Sequence, residues 1–433
     1  MSKKPVTPKP LWEGPYSKGS QGGLTQSLLQ KFLVCRHRFW LKTVKGLTED
    51  EGFSRPLEFG NLWHAMEEAY CGYRRTPYGE TVKVKGKPAP GCTPDVWEKA
   101  LKKYRLHLLS AYPNDVAEVE KWYNVARVTF PIYADYWSKH SDEKQRQPLL
   151  EEVSFQVPYT LPSGRVVILR GKWDAVCLLP PPRDAGAARL WKKLWPKAKL
   201  GIFVQENKTK GKIDEEGILK TVGWNLQTMM YQIALRILRE RYFTDDGIEA
   251  YFTGPYEISG IEAAFKKDYP LAGVLYNVIK RPLSDQHAIK QKKGGKKLGK
   301  GKVSAPESAS QFYARLAETI RADCKSNFMR WNAIVQPHEI DQFREEVFDP
   351  HLENLCNWWD SIQCNPMDPW HTHRAYDPKT KQWEGSIRNP HHWQMPFGVY
   401  NGMCDGMRGE FFEYLTSGRD YGLKQTPNLF PEL

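Results

Sequence analysis

The apolar residues in the first third of the chain recur with the spacing of an α-helix. Residues three and four apart lie on one face of a helix, so this spacing predicts amphipathic helices. The pattern runs through residues 24–44, 57–75 and 97–140. Pro113 and Pro131 fall within the third segment, where we expect them to break the helix.

The pattern changes near residue 150 to short runs rich in β-branched and aromatic residues, separated by turn residues. Such runs predict β-strands, and they occupy residues 150–158, 165–170, 172–179 and 201–206. A long helical pattern follows at residues 215–242. Helices followed by a strand meander, a further strand and a helix predict an α/β core with a helical cap.

The remaining chain is more varied in composition. Apolar β-prone runs return at residues 248–278, and residues 309–331 and 338–362 predict helices. Between them, residues 288–302 hold seven lysines, four glycines and no acid. Such a segment cannot bury apolar surface and predicts a basic loop. The tail from residue 365 is rich in Pro, His, Trp and Gly and predicts an irregular, packed segment.

These changes of composition divide the chain into four expected regions. The α/β core should be the third of them, since it holds most of the strand patterns. The regions are a flexible leader at 1–23, a helical region at 24–148, the core at 149–245 and a C-terminal region with the basic loop and the packing tail at 246–433.

The overall charge adds an indication about the partner. Lysine and arginine number 63 against 50 acidic residues, which gives a net charge of +13 and a pI near 9.1. Phosphate contacts dominate the binding of nucleic acids, so this balance suits a polyanionic partner. Many basic proteins bind no nucleic acid, and the charge alone therefore does not select one.

The cysteines and the apolar runs indicate a compartment. The eight cysteines have irregular spacings and include no Cys-x-x-Cys, which predicts free thiols in a reducing environment. No apolar run reaches the length of a membrane span, and the first residues lack the apolar core of a signal peptide. We therefore expect a cytoplasmic protein without a membrane partner.

An acid and an amine stand two residues apart in the strand pattern GIFVQENKTKGK. Glu206 and Lys208 would face the same side of a strand. Asp174 falls inside the preceding strand pattern, where a lone acid is costly to bury. Two carboxylates beside a lysine suit Mg²⁺ or Mn²⁺, ions that stabilise charge on a phosphate. The alternatives are a strand end emerging into solvent and, for Asp174, a solvated charge or a pair with Lys172.

A histidine and a polar pair on the predicted helices are further candidates. His64 lies four residues after Gly60, and a glycine allows close approach of its helix to a neighbour. Gln227 and Tyr231 are four residues apart and share one helical face. The alternatives are an ordinary core or surface histidine and an ordinary polar pair beside the core.

Together these four signals resemble the motifs of the PD-(D/E)XK nuclease superfamily, and within it the RecB-like exonucleases of phage and CRISPR-associated type. The motifs of that branch are Gly-x-x-x-His, Gly-x-x-Asp, (Asp/Glu)-x-Lys and Gln-x-x-x-Tyr, in this order. The chain supplies Gly60–His64, Gly171–Asp174, Glu206–Lys208 and Gln227–Tyr231. The matching segments span about residues 24–235.

The resemblance implies a restriction-endonuclease-like fold, a mixed β-sheet core flanked by helices with helical N-terminal and C-terminal additions. It implies that Asp174 and Glu206 ligate Mg²⁺ or Mn²⁺, with His64 as a further ligand. Lys208 would be catalytic together with Asp174 and Glu206. Gln227 and Tyr231 would contact DNA or support the site from the following helix.

The resemblance leaves the roles of some positions open. Glu152 matches an additional acid that such enzymes often carry on the first strand, although Glu151 is an equal choice from the sequence alone. Lys210 and Lys212 continue the alternation of their strand and either contact DNA phosphates or are solvated. The basic loop 288–302 is either a solvated insertion or a phosphate clamp over a DNA channel.

Many RecB-like nucleases also hold an iron–sulfur cluster on four cysteines, and this chain lacks the full pattern. Cys35 and Cys404 stand where the first and last ligands would be, but the two between them are missing. They are therefore remnants, and we expect no cluster. A zinc site on these two cysteines with His391 and His392 has no standard ligand spacing behind it. We expect aromatic side chains to pack the two ends of the chain together instead.

The resemblance implies a metal-dependent deoxyribonuclease that hydrolyses phosphodiester bonds, an exonuclease on single-stranded or end-bearing DNA. A phage-like role in recombination, replication or repair would place it in the cytoplasm of a bacterial host, with a recombinase, helicase or single-strand-binding protein as partner. The alternatives are a DNA-binding subunit that has lost catalysis and a nuclease active only within a recombination complex. The chain has no Gly-x-x-x-x-Gly-Lys-(Ser/Thr) phosphate loop and is not itself predicted to be a motor.

Overall fold

The structure is a computed structural model, and it describes most of the chain. Cys35, Cys404, His391, His392 and the basic loop 288–302 lie outside the described residues. The described residues are 10–34, 36–48, 53–74, 94–222, 224–245, 247–254, 256–282, 308–364, 375–377, 382–384, 424–431 and 433.

The described residues are mainly helical before residue 147, and both strands and helices follow after it. The helices are α1 (Gln26–Val34), α2 (Arg36–Phe39), α3 (Arg55–Arg74), α4 (Pro94–Ala111), α5 (Val116–Ser138), α6 (Ser141–Gln145), α7 (Ala185–Leu194), α8 (Glu215–Val222), α9 (Leu226–Thr244), α10 (Ser259–Lys266), α11 (Ala309–Ala322), α12 (Cys324–Asn327), α13 (Pro337–Phe343) and α14 (Asp349–Cys364). The strands are β1 (Leu47–Thr48), β2 (Gln147–Thr160), β3 (Val166–Leu179), β4 (Gly201–Lys210), β5 (Leu271–Lys280), β6 (Phe328–Ile334), β7 (Ala375–Asp377), β8 (Gln382–Glu384) and β9 (Lys424–Gln425).

The central sheet has five strands in the order β2-β3-β4-β5-β6. Strands β4 and β5 run parallel, whereas the other neighbours in this sheet are antiparallel. The sheet is therefore mixed, with helices packed against it. The predicted fold class, a mixed α/β core flanked by helices, is confirmed. Two of its strands, β5 and β6, come from the region that the sequence placed after residue 245.

Helices cover the sheet through two large apolar clusters. One cluster joins the sheet to α1, α9, α10 and α14, and it includes the stacked rings of Phe155 and Trp173, whose centroids are 4.1 Å apart. The second cluster lies among α3, α4, α5 and α11 and is rich in aromatic residues such as Trp63 and Phe130. Helix α3 thus packs within the aromatic cluster and also contacts strands β2 and β4 of the sheet.

Some boundaries differ from the sequence patterns for identifiable reasons. The runs at 165–170 and 172–179 form the single strand β3, because its pairing with β2 continues through Gly171. The pattern at 215–242 forms two helices, and Asn225 caps the second, because its side-chain oxygen accepts from the backbone N–H of Gln227. The prediction of helix is wrong at 328–331, where pairing with β5 makes these residues part of β6.

Proline 131 also behaves differently from the sequence expectation. It lies inside the continuous helix α5, whereas Pro113 falls between α4 and α5 as predicted. A proline in a helix interior removes one backbone hydrogen bond. Helix α5 is nevertheless held on both sides of this residue by buried aromatic side chains, including Phe130 and Tyr133.

Residues 10–23, which composition assigned to a flexible leader, are packed against the sheet. Trp12 is buried and its indole N–H donates to the Gly23 carbonyl at 2.9 Å. The guanidinium of Arg170 on β3 donates to the carbonyls of Ser20 and Gly22 at 2.8 and 3.0 Å. These contacts satisfy a buried charge with backbone oxygens, which explains why this polar stretch is ordered.

Among the described helices, none is long and apolar enough to cross a membrane.

The close packing around Gly171 gives a test of the core. In Gly171→Ala, the new Cβ would lie 2.6 Å from the Phe155 ring and 2.9 Å from the Tyr231 ring. Overpacking of a filled core costs about 1–3 kcal/mol, so the free energy of unfolding in urea should fall by about that amount. Gly260→Ala in α10 is the control, because its Cβ would lie 3.6 Å from the nearest atom. Equal losses in both variants would contradict this account.

Candidate metal and catalytic site

The candidate site lies where the neighbouring strands β2 and β3 depart from the regular alternation of side chains between the two faces of the sheet. Leu150 and Val153 on β2 are three residues apart, yet both lie in the apolar cluster beneath the sheet, and so do Trp173 and Val176 on β3. Successive strand residues face opposite sides, so each strand departs from regular pleating between these positions. Such irregularities re-aim side chains and are common beside active sites.

The residues inside this interruption are the acids Glu152 and Asp174. Glu152 has a φ of 49°, in the left-handed region that non-glycine residues seldom adopt. Backbone strain of this kind costs about 1–3 kcal/mol and concentrates at functional sites. Of the two acids that the sequence could not separate, the structure thus brings Glu152 to Asp174. Glu151 pairs with Ala175 in the strand register.

His64 from helix α3 completes a compact group with these two acids. Its Nδ1 lies 3.1 Å from Glu152 Oε1 and 3.7 Å from Asp174 Oδ1. One donor atom from each of the three residues lies within 4.8 Å of the others. An imidazole and two carboxylates are ligands that Mn²⁺ and Mg²⁺ accept, so this group could hold a divalent metal.

Asp174 is held in place by the strand next to it. The backbone N–H of Asn207 on β4 donates to Asp174 Oδ2 at 2.6 Å. Backbone pairing between β3 and β4 ends at Ala175 and Gln205. The Asn207 N–H therefore has no backbone acceptor on β3, and the Asp174 carboxylate accepts its hydrogen bond instead. Asp174 Oδ1 remains directed toward His64.

Glu206 and Lys208 lie together on the other side of β4 from Gln205 and Asn207, and they contact each other. Glu206 is 1% exposed, and within the described part of the chain neither carboxylate oxygen accepts a well-oriented hydrogen bond. A buried carboxylate with unused lone pairs fits a site for a cation. Glu206 is nevertheless not one of the three residues in the compact group.

Helix α9 positions Lys208 through the predicted polar pair. The ammonium of Lys208 donates to Gln227 Oε1 at 3.0 Å, and the Gln227 amide nitrogen lies 3.4 Å from the Tyr231 hydroxyl, to which it donates. The structure therefore brings Gln227 and Tyr231 to the site through Lys208. Lys210 is half-buried at the end of β4, and Lys212 is exposed beyond it.

Burial and neighbouring charges shift the pKa of several of these groups. Burial raises the pKa of Asp174 to about 7, with the nearby acids adding to the effect and His64 opposing it. Burial opposes protonation of His64, but the charges of Asp174 and Glu152 outweigh it and raise its pKa to about 9. Glu206 and Asp174 likewise outweigh burial at Lys208 and raise its pKa. Lys208 is therefore an ammonium at neutral pH.

Lys172 has a different partner from the one that the sequence suggested. Its ammonium lies 2.7 Å from Glu152 Oε2, rather than pairing with Asp174. Burial opposes ionisation of Glu152, whereas His64 and Lys172 favour it, and the net effect is a lowered pKa. Glu152 is thus a carboxylate held between two cationic neighbours.

A buried polar network on the α3 side of β4 was not predicted from the sequence. The amide oxygen of Asn207 accepts from Gln205 at 3.0 Å and from Asn277 on β5 at 2.8 Å. Arg330 on β6 donates to Asn277 at 3.0 Å and contacts the carboxylate of Glu143. The same network includes Glu67, Tyr133 and Arg146. Its effect is to fix Asn207, whose N–H holds Asp174.

One signal in the sequence could have indicated this network. Gln205 and Asn207 flank Glu206 in an otherwise apolar strand, and two amides at alternate positions predict a polar neighbour on that face. The partners come from residues 67 to 330, so the sequence gives no means of identifying them.

Comparison with protein families gives a result that agrees with this geometry. Residues 23–191 match the PD-(D/E)XK nuclease superfamily. This segment contains His64, Glu152 and Asp174, and the match implies phosphodiesterase activity of the nuclease type. It ends before Glu206 and Lys208, and it does not resolve a branch of the superfamily. A search of curated proteins found no match.

The shifted pKa values predict how a divalent metal should bind. A metal takes the deprotonated forms of its ligands, so affinity for Mn²⁺ should rise between about pH 6 and 9 as Asp174 and then His64 lose their protons. Isothermal titration calorimetry would measure the affinity and the protons released. His64→Gln should remove the upper part of this dependence. An affinity that is independent of pH would contradict the prediction.

The buried network predicts a large loss of stability on removal of one charge. Arg330→Met should lower the free energy of unfolding by about 3–5 kcal/mol, since it leaves a buried carboxylate uncompensated. Lys139→Met is the control, because Lys139 pairs with Asp135 on an exposed surface, where such pairs contribute less than about 1 kcal/mol. Urea unfolding of both variants would measure the difference, and similar losses would count against the network.

Proposed function

We propose that the protein is a metal-dependent deoxyribonuclease that hydrolyses phosphodiester bonds. The observation that carries the proposal is the meeting of His64, Glu152 and Asp174 at the shared interruption of β2 and β3. These residues lie beside a lysine that helix α9 holds in place. The family match to residues 23–191 supports the same class of reaction.

We assign His64, Glu152 and Asp174 as residues that would hold Mg²⁺ or Mn²⁺, with Glu206 as a further acid. The burial of the Glu206 carboxylate, with Lys208 as its ion-pair partner, supports its place in the set. The ion, when bound, would lower the pKa of water and neutralise charge on the scissile phosphate. Lys172 would then lose part of its interaction with Glu152, because the ion competes for the same carboxylate.

The role that we assign to Lys208 follows from its charge. Its raised pKa keeps it protonated at neutral pH, so it cannot accept a proton from water. A fixed ammonium can instead stabilise the negative charge that grows on the phosphate. Gln227 and Tyr231 hold the ammonium in position, so they are positioning residues in this proposal.

The finer parts of the proposal rest on resemblance to the RecB-like branch. By that resemblance, we propose that the protein is an exonuclease that acts on single-stranded or end-bearing DNA. Its role would lie in recombination, replication or repair in a bacterial cytoplasm. A recombinase, a helicase or a single-strand-binding protein would be the partner. The competing function is a DNA-binding subunit without catalysis, which would lack one of the site residues. The described site has all of them.

A cleavage assay tests the proposal directly. Wild-type protein with Mg²⁺ or Mn²⁺ should degrade labelled linear DNA and lose this activity in EDTA. An exonuclease should leave covalently closed circular DNA intact. Lys208→Ala should lower the rate by a factor of about 10²–10³, the usual cost of removing one electrostatic contact to a transition state. Cleavage that survives in EDTA, or in Asp174→Asn at the wild-type rate, would refute the assigned site.

A matched pair of variants tests the choice between the two neighbouring acids. Glu152→Gln should lower both cleavage and Mn²⁺ affinity, because it removes a carboxylate from the compact group. Glu151→Gln makes the same chemical change one residue away and should leave both nearly unchanged. The reverse result would assign the role to Glu151.

A further inference from the structure

A row of basic residues leads away from the site along the parallel pair β4 and β5. The register of these strands places Lys210 beside Lys280, and Glu206 beside Tyr276. Neighbouring residues in register face the same side of a sheet, so Lys208, Lys210 and Lys280 share the face that carries Glu206. Lys208 and Lys210 are about 6.6 Å apart along the strand, and the strands are about 4.8 Å apart.

Arg281 adds a further charge at the same end of the sheet. Its backbone N–H donates to the Lys210 carbonyl at 2.7 Å, which fixes the start of the segment after β5. Its guanidinium lies over the end of β4, since a Cβ built on Gly211 would be 3.3 Å from Arg281 Nη2. We call Lys210, Lys280 and Arg281 the basic ridge.

The charges of the basic ridge are not neutralised by the described residues. None of the three residues forms an ion pair with a carboxylate within the described part of the chain. Some other described cations are paired, such as Arg236 with Asp341 at 2.7 Å, whereas others, such as Lys192 and Lys193, have no carboxylate partner among the described residues. Like charges side by side on adjacent strands, as at Lys210 and Lys280, destabilise a sheet, so their placement needs an explanation beyond stability.

Solvation alone explains the ridge less well than binding does. Lys280 is exposed, but Lys210 and Arg281 are partly buried at the strand ends. Their charges therefore project from fixed backbone beside Lys208, rather than from a loose surface segment. Fixed cations in a row beside the proposed phosphodiester-cleaving site are suited to contact the phosphates of a polyanionic strand.

We propose that the basic ridge binds the phosphodiester backbone of the DNA strand that enters the site. This inference rests on the proposed nuclease function, and it assigns Lys280 and Arg281 a role that no motif gives them. The ridge contacts phosphates, so it positions the strand without reading its bases. Lys210 connects the basic ridge to Lys208 in the proposed catalytic site.

The salt dependence of DNA binding tests the ridge without requiring cleavage. In EDTA, fluorescence anisotropy would follow binding of labelled single-stranded DNA and of labelled duplex at several salt concentrations. Lys280→Gln/Arg281→Gln should make the slope of log K against log salt shallower by about 1.4 for a single strand or about 1.8 for a duplex. If only the single-stranded DNA or only the duplex shows the change in slope, that DNA is the one that binds the basic ridge.

A matched variant controls for the loss of two charges. Lys192 and Lys193 are exposed on helix α7, whose Trp191 packs over Gly201 at the start of β4, at the opposite end of the strand from the ridge. Lys192→Gln/Lys193→Gln should leave the slope as in wild type. Unchanged slopes in the ridge variant, or equal changes in both variants, would overturn the proposal. Thermal unfolding would verify that both variants fold.

The experiment separates this inference from the function on which it rests. A ridge variant with a shallower slope, in a protein that cleaves no DNA, would support the ridge and count against the nuclease. A protein that cleaves DNA in a metal-dependent way, with a ridge variant that binds as wild type does, would support the nuclease and refute the ridge.

Discussion

The hydrogen bond from the Asn207 N–H to Asp174 stands at the point where strands β3 and β4 stop pairing. Two strands that separate leave backbone donors without partners, and here a carboxylate takes up one of them. This bond fixes Asp174 relative to β4 and directs its second oxygen toward His64. Asn207 is in turn held by Gln205 and Asn277. The site therefore depends on the buried polar network around Asn207.

Charge balance gives the second constraint on the site. Three carboxylates, Glu152, Asp174 and Glu206, are gathered at the separated strands, and burying them is costly unless cations or a metal accompany them. His64, Lys172 and Lys208 supply positive charge around them. The raised pKa values of Asp174 and His64 result from the combined effects of burial and neighbouring charges. Such a group of residues could hold a divalent cation, which would replace several of these compensating contacts.

The family match covers only some of the strands that form the candidate site. It covers His64, Glu152 and Asp174 but ends before strand β4, which carries Glu206, Lys208 and the start of the basic ridge. The matched segment thus holds the compact acidic group, and β4 and β5 bring the basic face. Antiparallel pairing of β3 with β4 joins the two, and parallel pairing of β4 with β5 sets Lys210 and Lys280 side by side.

Local pattern in the sequence determined the helices before residue 140, the strands that became β2 to β4, and the positions of the four motifs, because each rests on residues close together in the chain. Only the tertiary structure distinguished Glu152 from Glu151, since that choice depends on where two strands interrupt their alternation together. It also assigned Lys172 to Glu152, made residues 328–331 part of β6, and joined Asn207 to Arg330 through Asn277. These contacts link residues on different strands, and the pairing registers of β2 with β3, β4 with β5 and β5 with β6 decide them. A sequence specifies which groups are available, whereas the pairing of strands decides which of them meet.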